Sequence, residues 1–351
     1  MRQEAVDALA ADAPTYLGTS HRRPPVKNVV ADIRAGLTEL YALPDGYEVV
    51  LGVGGTTVFW DAAIFGLIIH RSQHTTYGEF SAKFATAVTG APHLASPDVR
   101  EAEPASASVP DPSVDVDTFA LIHNETSTGV MVQIARPLRP NTLVLVDATS
   151  AAGAVTVDPT AFDAYYFAPQ KAFGSDGGLW LALLSPAAID RIADLNASRW
   201  SPPSIALQIA VDNSRLNQTY NTPALATLFL LRDQLRWMAD QGGLAWAAAR
   251  SRRSAAHLYG WAERSEVATP FVTDVALRST TTVTIDLDPA VDADAVAALL
   301  AANGIFDIGG YRKLGRNQLR IATFPAIDPG DIERLTGAIE FVMHRLHRTS
   351  S

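Results

Sequence analysis

The chain has 351 residues, 48% hydrophobic and 19% charged, which is enough to bury a large core and suggests two domains. A formal net charge of -9 argues against a nucleic-acid or anionic-membrane surface, because such partners call for a basic face, so any anionic ligand must be held by local cations. The absence of cysteine removes disulfides, thiolate zinc sites and cysteine nucleophiles and fits a cytoplasmic protein, as does an amino terminus, residues 1–11, without an apolar signal core.

In chain order, Gly18-Thr19-Ser20-His21-Arg22-Arg23-Pro24 reads as a basic loop. Glu48-Val49-Val50-Leu51 then leads through Gly52, Gly54 and Gly55 into a helix-like run from Thr57 to Ile64. The longest apolar stretch, 62–69, is too short to span a membrane. Residues 91–113, rich in Pro, Ser and Ala without a sustained period, predict surface loop with at most one strand. Apolar strands recur at 119–122, 143–146 and 164–167, the alternation expected of an α/β fold. From Pro223 the pattern turns helical, with Thr222 as N-cap, Gly242-Gly243 as the stop, and a second helix to about 262. A strand over 281–287, a helix capped by Asp292 and stopped at Asn303-Gly304, a strand over 318–323 and a terminal helix opened by Asp328-Pro329 complete a small α+β unit. The expected division is 1–260 and 261–351.

Lys171 ends the aromatic, strand-like run Tyr165-Tyr166-Phe167, where an edge-of-core lysine is a candidate amine nucleophile. Burial disfavours the ammonium form, and a neutral amine is what attacks an aldehyde cofactor. Asp147 ends the preceding apolar strand, 24 residues earlier, about one strand-to-strand crossover. Consecutive parallel strands bring their carboxyl ends to one edge, so the two residues can share a crevice. Pyridoxal phosphate needs that pair: a lysine for its aldehyde and a carboxylate to keep its pyridine nitrogen protonated.

The remaining motifs each admit two readings. Gly52-Val53-Gly54-Gly55-Thr56-Thr57 can cradle a phosphate at a helix start, or be a tight strand-to-helix turn. Phe80 can stack on a cofactor or fill core. Residues 123–129, His-Asn-Glu-Thr-Ser-Thr-Gly, can be a capped turn or line the crevice edge. Arg320, flanked by Leu319 and Ile321, can face solvent or clamp a carboxylate. Thr222 is explained by helix capping alone. There is no Gly-x-Ser-x-Gly elbow, no His-Glu-x-x-His helix and no metal-ligand spacing among the eight histidines, so no metal is expected.

Taken in order, Gly-Thr-Ser-His-Arg at 18–22, Gly-Gly-Thr-Thr at 54–57, Gly-Glu-Phe at 78–80, Asn-Glu-Thr-Ser-Thr-Gly at 124–129, Asp-Ala-Thr-Ser at 147–150, Pro-Gln-Lys at 169–171, Asn-Thr-Pro at 221–223 and Leu-Arg at 319–320 resemble the phosphoserine aminotransferases, over nearly the whole chain. That resemblance implies a fold-type I, class V pyridoxal-phosphate enzyme, with a large α/β/α domain built on a mostly parallel sheet and a small C-terminal α+β domain. It implies Lys171 as the cofactor-bearing lysine, Asp147 as the partner of the pyridine nitrogen, Phe80 as the stacked ring and Thr126 near the phenolic oxygen. Gly55, Thr56, Thr57 and Gln170 would hold the phosphate, joined by Asn221 and Thr222 from the second subunit of a homodimer. His21 and Arg22, also at the subunit boundary, would meet the distal anion of the substrate, Lys313 would stand near that anion, and Arg320 would take the α-carboxylate. The implied reaction moves the amino group of L-glutamate to 3-phosphohydroxypyruvate, in serine biosynthesis and in some relatives vitamin B6 synthesis. Related class V enzymes acting on alanine, serine or glyoxylate are the nearest alternative. Members also carry a Gly-Pro-containing amino-terminal segment that approaches the site, and this sequence starts past it, so either the sequence is shortened or the site is partly open, and a truncated cofactor-binding protein with reduced activity is a further alternative.

Overall fold

A computed structural model describes residues 1–350. The strands are β1 (Glu48–Val53), β2 (Ser72–Thr76), β3 (Asp98–Glu101), β4 (Thr118–Ile122), β5 (Asn124–Glu125), β6 (Val130–Met131), β7 (Leu143–Asp147), β8 (Ala164–Phe167), β9 (Leu179–Leu184), β10 (Ala268–Pro270), β11 (Thr282–Leu287) and β12 (Gln318–Ala322). The helices are α1 (Gln3–Tyr16), α2 (Pro24–Leu40), α3 (Thr56–Gly66), α4 (Glu79–Thr89), α5 (Pro186–Ser198), α6 (Leu207–Arg215), α7 (Leu225–Gln241), α8 (Gly243–Arg264), α9 (Ala293–Ala301) and α10 (Pro329–Ser350). Among the described residues no helix is long and apolar enough to cross a membrane.

Seven strands form one sheet in the order β1-β9-β8-β7-β4-β2-β3. β8, β7, β4, β2 and β3 run parallel, and β9 is antiparallel to both β8 and β1. Strands covered on both faces read as continuous apolar runs, as Leu143-Val144-Leu145-Val146 does. Side chains alternate between the faces: Val144 and Val146 join a core with α2 and α7, whereas Leu143 and Leu145 join a core with α3, α5 and α6. The result is the three-layered α/β architecture with a mostly parallel sheet that the sequence leads one to expect.

Five strands lie outside the sequence reading: the short β5, β6 and β10, and the two sheet strands β2 and β9. β9, Leu-Trp-Leu-Ala-Leu-Leu, is buried throughout. β2, Ser-Gln-His-Thr-Thr, is also buried at every position although none of its residues is apolar. Its polar groups are satisfied internally, with Ser72 Oγ 2.9 Å from His74 Nε2, and Gln73 donating to Asp98 at 2.8 Å and accepting from Asp111 N at 2.7 Å. Buried polar groups are tolerable when so paired, and no apolar periodicity marks them.

A third core lies between the three-stranded sheet β10-β11-β12, helices α9 and α10 and the last turns of α8, where Leu258, Trp261 and Ala262 are buried. The boundary expected at 260/261 falls inside α8, which feeds this core and the α2–α7 core as one continuous rod. Asp292 does cap α9, accepting from Asp294 N and Ala295 N. Thr222 does not cap α7: the helix begins at Leu225, after Ala224 in an extended conformation, and Thr222 is exposed in the loop before it. Leu228 and Leu231, in the first turns of α7, are buried in the core that α2 also joins.

Candidate active site

The parallel register fixes the site. Ile122 pairs with Asp147 and Asp147 with Tyr166, so β4, β7 and β8 end level at one edge of the sheet. Two antiparallel steps bring β1 into the same direction as β8, so its glycine turn and the start of α3 reach that edge too. Ligands in open α/β sheets bind in the crevice outside such carboxyl ends. Asp147 follows Leu143 and Leu145 to the α3 face by the two-residue period, which sets it against Trp60. Lys171 sits four residues past the end of β8, in a turn closed by Gly174 N to Lys171 O at 3.0 Å and Ser175 N to Pro169 O at 3.2 Å.

A cavity of about 220 Å³ is lined by Thr56, Thr57, Phe80, Thr126, Asp147, Gln170 and Lys171, seven of the residues named from the sequence. Gly55 caps the start of α3 beside it. Asn124, within the segment read as a possible crevice edge, also lines it, as do Trp60, Lys83 and Thr149, to which the sequence reading gave no role. Trp60 lies one turn beyond Thr56 and Thr57 on α3, and Lys83 one turn beyond Phe80 on α4, so the helical period was the available signal.

Asp147 Oδ1 accepts from Thr149 N at 2.9 Å and Thr149 Oγ1 at 2.6 Å, and Oδ2 accepts from Trp60 Nε1 at 3.2 Å. Burial nevertheless raises its carboxyl from an ordinary 3.8 to about 6, and the nearby charge of Glu125 adds to the rise. No lysine or arginine pairs with it among the described residues. Burial is also the larger cause lowering the Lys171 ammonium, followed by repulsion from Arg320. Thr126 Oγ1 donates to Ser150 Oγ at 2.7 Å, and Thr126 O accepts from Arg320 Nη1 at 3.1 Å. The Arg320 guanidinium lies 5.4 Å from the centroid of the Tyr311 ring, which is itself 6.0 Å from that of Phe80.

The residues suit pyridoxal phosphate. A buried carboxylate without a cation calls for a positive partner such as a protonated pyridine nitrogen. The Lys171 amine is biased towards its neutral, nucleophilic form. The start of α3 has no side-chain cap, and a Cβ added at Gly55 would meet nothing within 4 Å, so the first-turn N–H groups are approachable by a phosphate.

Seven expected site residues are not among those lining this cavity: Gly55 and Arg320, already placed beside it, and Lys313, His21, Arg22, Asn221 and Thr222. Lys313 forms an ion pair with Glu79, which also pairs with Lys83 at 3.3 Å. Arg22, Asn221 and Thr222 are exposed. His21 is buried beside the backbone of Thr219, and its Nε2 has no hydrogen-bond partner; burial, then the charge of Arg22, lowers the imidazolium. The segment carrying His21 and Arg22 therefore adjoins the loop carrying Asn221 and Thr222.

A parallel sheet with a buried aspartate and a lysine at its carboxyl edge defines a pyridoxal-phosphate enzyme of fold type I. The family "Aminotransferase class-V" matches residues 111–312. The phosphoserine aminotransferase of Rhodococcus jostii (strain RHA1) is 54% identical over 350 residues, covering 99% of this chain and 93% of that protein. A putative phosphoserine aminotransferase of Mycobacterium leprae (strain TN) is 56% identical with the same coverage. The crystal structure of a phosphoserine aminotransferase from Cytophaga hutchinsonii superposes with a TM-score of 0.85 at 27% identity, covering 97% of this chain and 94% of that one. The chain belongs to the class V aminotransferases, in the phosphoserine aminotransferase family. It is a pyridoxal-phosphate-dependent transaminase.

Proposed function

We propose that the chain transfers the amino group of L-glutamate to 3-phosphohydroxypyruvate, giving 2-oxoglutarate and O-phospho-L-serine, in the cytoplasm. The observation that carries this is the shared cavity of Asp147 and Lys171 with Arg320 tethered to its wall through Thr126. When bound, pyridoxal phosphate supplies a protonated ring that draws electrons from the substrate Cα. Asp147 holds the ring-nitrogen proton, and its two hydroxyl or indole partners keep the carboxylate aimed. Lys171 holds the cofactor at its aldehyde. The neutral Lys171 amine, when free, would take the proton from the substrate Cα as base and then deliver it as acid. Phe80 and Thr126 orient the ring, and Gly55, Thr56, Thr57 and Gln170 receive the phosphate. Arg320 takes the α-carboxylate common to both substrates through a planar fork.

The distal group is a carboxylate on one substrate and a phosphate on the other, which calls for adaptable cations. Arg22, His21 and Lys313 are the candidates. We read the chain as a homodimer in which His21, Arg22, Asn221 and Thr222 complete the neighbouring subunit's site, supported by the contact of His21 with the backbone of Thr219 and by the absence of all four from their own cavity's lining. The separate cores support a large cofactor-binding domain and a small C-terminal domain sharing α8.

A coupled assay compares glutamate plus 3-phosphohydroxypyruvate with alanine plus glyoxylate. The proposal expects turnover with the first pair to exceed the second by at least about a hundredfold in kcat/KM, the discrimination a built charged pocket gives. Preference for alanine and glyoxylate would assign the chain to a different class V activity.

A further inference from the structure

We propose that Glu125 is a positioning residue that sets the ring of Phe80 against the cofactor and keeps it in register with Thr126; this rests on the reading of Phe80 as the stacking ring. Glu125 is fully buried and has no ion-pair partner among the described residues. Its carboxylate instead accepts five hydrogen bonds. Oε2 takes Ser81 N at 3.0 Å and Ser81 Oγ at 2.9 Å; Oε1 takes Ser127 Oγ at 2.7 Å, Ser127 N at 3.1 Å and Phe80 N at 3.4 Å.

These donors belong to two different elements. Phe80 and Ser81 open α4, where the first N–H groups of a helix have no partner within the helix. Glu79 N completes the set by donating to Ser127 Oγ at 3.0 Å. A Ser, Thr or Asp at the cap would satisfy such groups locally. Here the cap is Gly78, and a Cβ there would lie 2.4 Å from Glu125 Cγ, so the local cap is given up to let a distant carboxylate in. A local cap would stabilise α4 without fixing its position relative to the 125–127 turn; the carboxylate does both. The turn it anchors carries Thr126, which lines the cavity and holds Arg320 through its carbonyl. One buried anion thus joins the ring on one wall of the cavity to the hydroxyl and the arginine on the other. It is kept although its charge works against the ionisation of Asp147, and a fold that needed only a capped helix has no reason to retain it.

The test is a double-mutant cycle on pyridoxal 5′-phosphate binding to the full-length protein. Glu125→Gln retains the shape but turns an amide N–H₂ towards donors. Glu125→Gln and Phe80→Ala should each weaken cofactor affinity by about tenfold and reduce the visible circular-dichroism band of the bound cofactor, the size expected for losing an aromatic stacking contact. The double variant should be no more than about twofold weaker than either single one. Effects that multiply, or a Glu125→Gln protein with unchanged affinity and band, overturn the proposal while leaving the Phe80 reading in place. A Phe80→Ala protein with unchanged affinity and band overturns the Phe80 reading, and the proposal with it. Should Glu125→Gln fail to fold, Ser127→Ala takes its place, with an expected loss of about threefold that disappears in the Phe80→Ala background; an undiminished loss there overturns the proposal. Ser185→Ala, which removes the cap of α5, serves as the structural comparison: it should lower the melting temperature and leave the band unchanged.

Discussion

Replacing Asp147 by asparagine should abolish transamination and, in the cofactor-free protein, increase stability at neutral pH. The folded carboxyl titrates near 6, against an ordinary 3.8. The native state therefore binds the proton more tightly than the unfolded state, and stability falls as pH rises from about 4 to about 6, then levels off. At about 1.4 kcal/mol per pH unit, holding the charge costs about 3 kcal/mol above that window. The substitution removes this cost but turns an amide N–H towards the Trp60 indole N–H or the two Thr149 donors, which returns about 1 kcal/mol. The net gain is about 2 kcal/mol at pH 8, or about 3 °C in melting temperature for a chain of this length. At pH 5 roughly half the ionisation cost remains, so the gain should shrink to under about 1 kcal/mol. Calorimetry of the cofactor-free wild type and variant at the two pH values measures this directly. A variant less stable than wild type at pH 8, or a difference that does not change between pH 5 and pH 8, would refute the view that Asp147 is an uncompensated buried charge awaiting a cationic partner.

Trp60→Phe keeps a ring in place but removes the indole donor from Asp147 Oδ2, shifting the carboxyl towards its protonated form. Cofactor affinity at pH 7 should fall about tenfold relative to wild type, and the gap should narrow at pH 9; a gap that persists at pH 9 points to lost packing instead. Arg320→Ala should raise KM for both substrates by about 10- to 100-fold, since both present an α-carboxylate, and a loss confined to one substrate would contradict a shared clamp. Mixing Lys171→Ala subunits with Arg22→Ala subunits, each inactive alone, should restore activity, because a hybrid dimer would contain one intact site. No recovery under conditions that exchange subunits would argue that each chain builds its site alone.

The two residues that matter most were legible because β7 and β8 are apolar runs that end abruptly on Asp147 and on the turn carrying Lys171, and parallel register did the rest. Thr56 and Thr57 were legible as candidates because they follow a strand and glycines at the crevice edge, whereas Phe80 and Thr126 gained their roles from the ordered motifs of the family resemblance. Trp60 and Lys83 escaped because they reach the cavity from helix positions one turn further on, among neighbours that look like ordinary core and surface. β2 escaped because its burial rests on hydrogen bonds between polar side chains, which leave no hydrophobic pattern. Thr222 misled because Thr-Pro is a good helix opening by local chemistry, whereas α7 starts three residues later, at Leu225. His21, Arg22, Asn221 and Thr222 drew their assignment from the family resemblance alone, and none of them lines the cavity.

Borohydride reduction of the purified holoenzyme followed by peptide mass spectrometry identifies the lysine that carries the cofactor, which we propose is Lys171. The chain has four lysines, Lys27, Lys83, Lys171 and Lys313, so the assignment is unambiguous. The expected result is a pyridoxyl-phosphate adduct on the peptide containing Lys171, with the visible absorbance lost in Lys171→Ala. An adduct on Lys83 or another lysine, or a Lys171→Ala protein that keeps its absorbance and reducible bond, would contradict it.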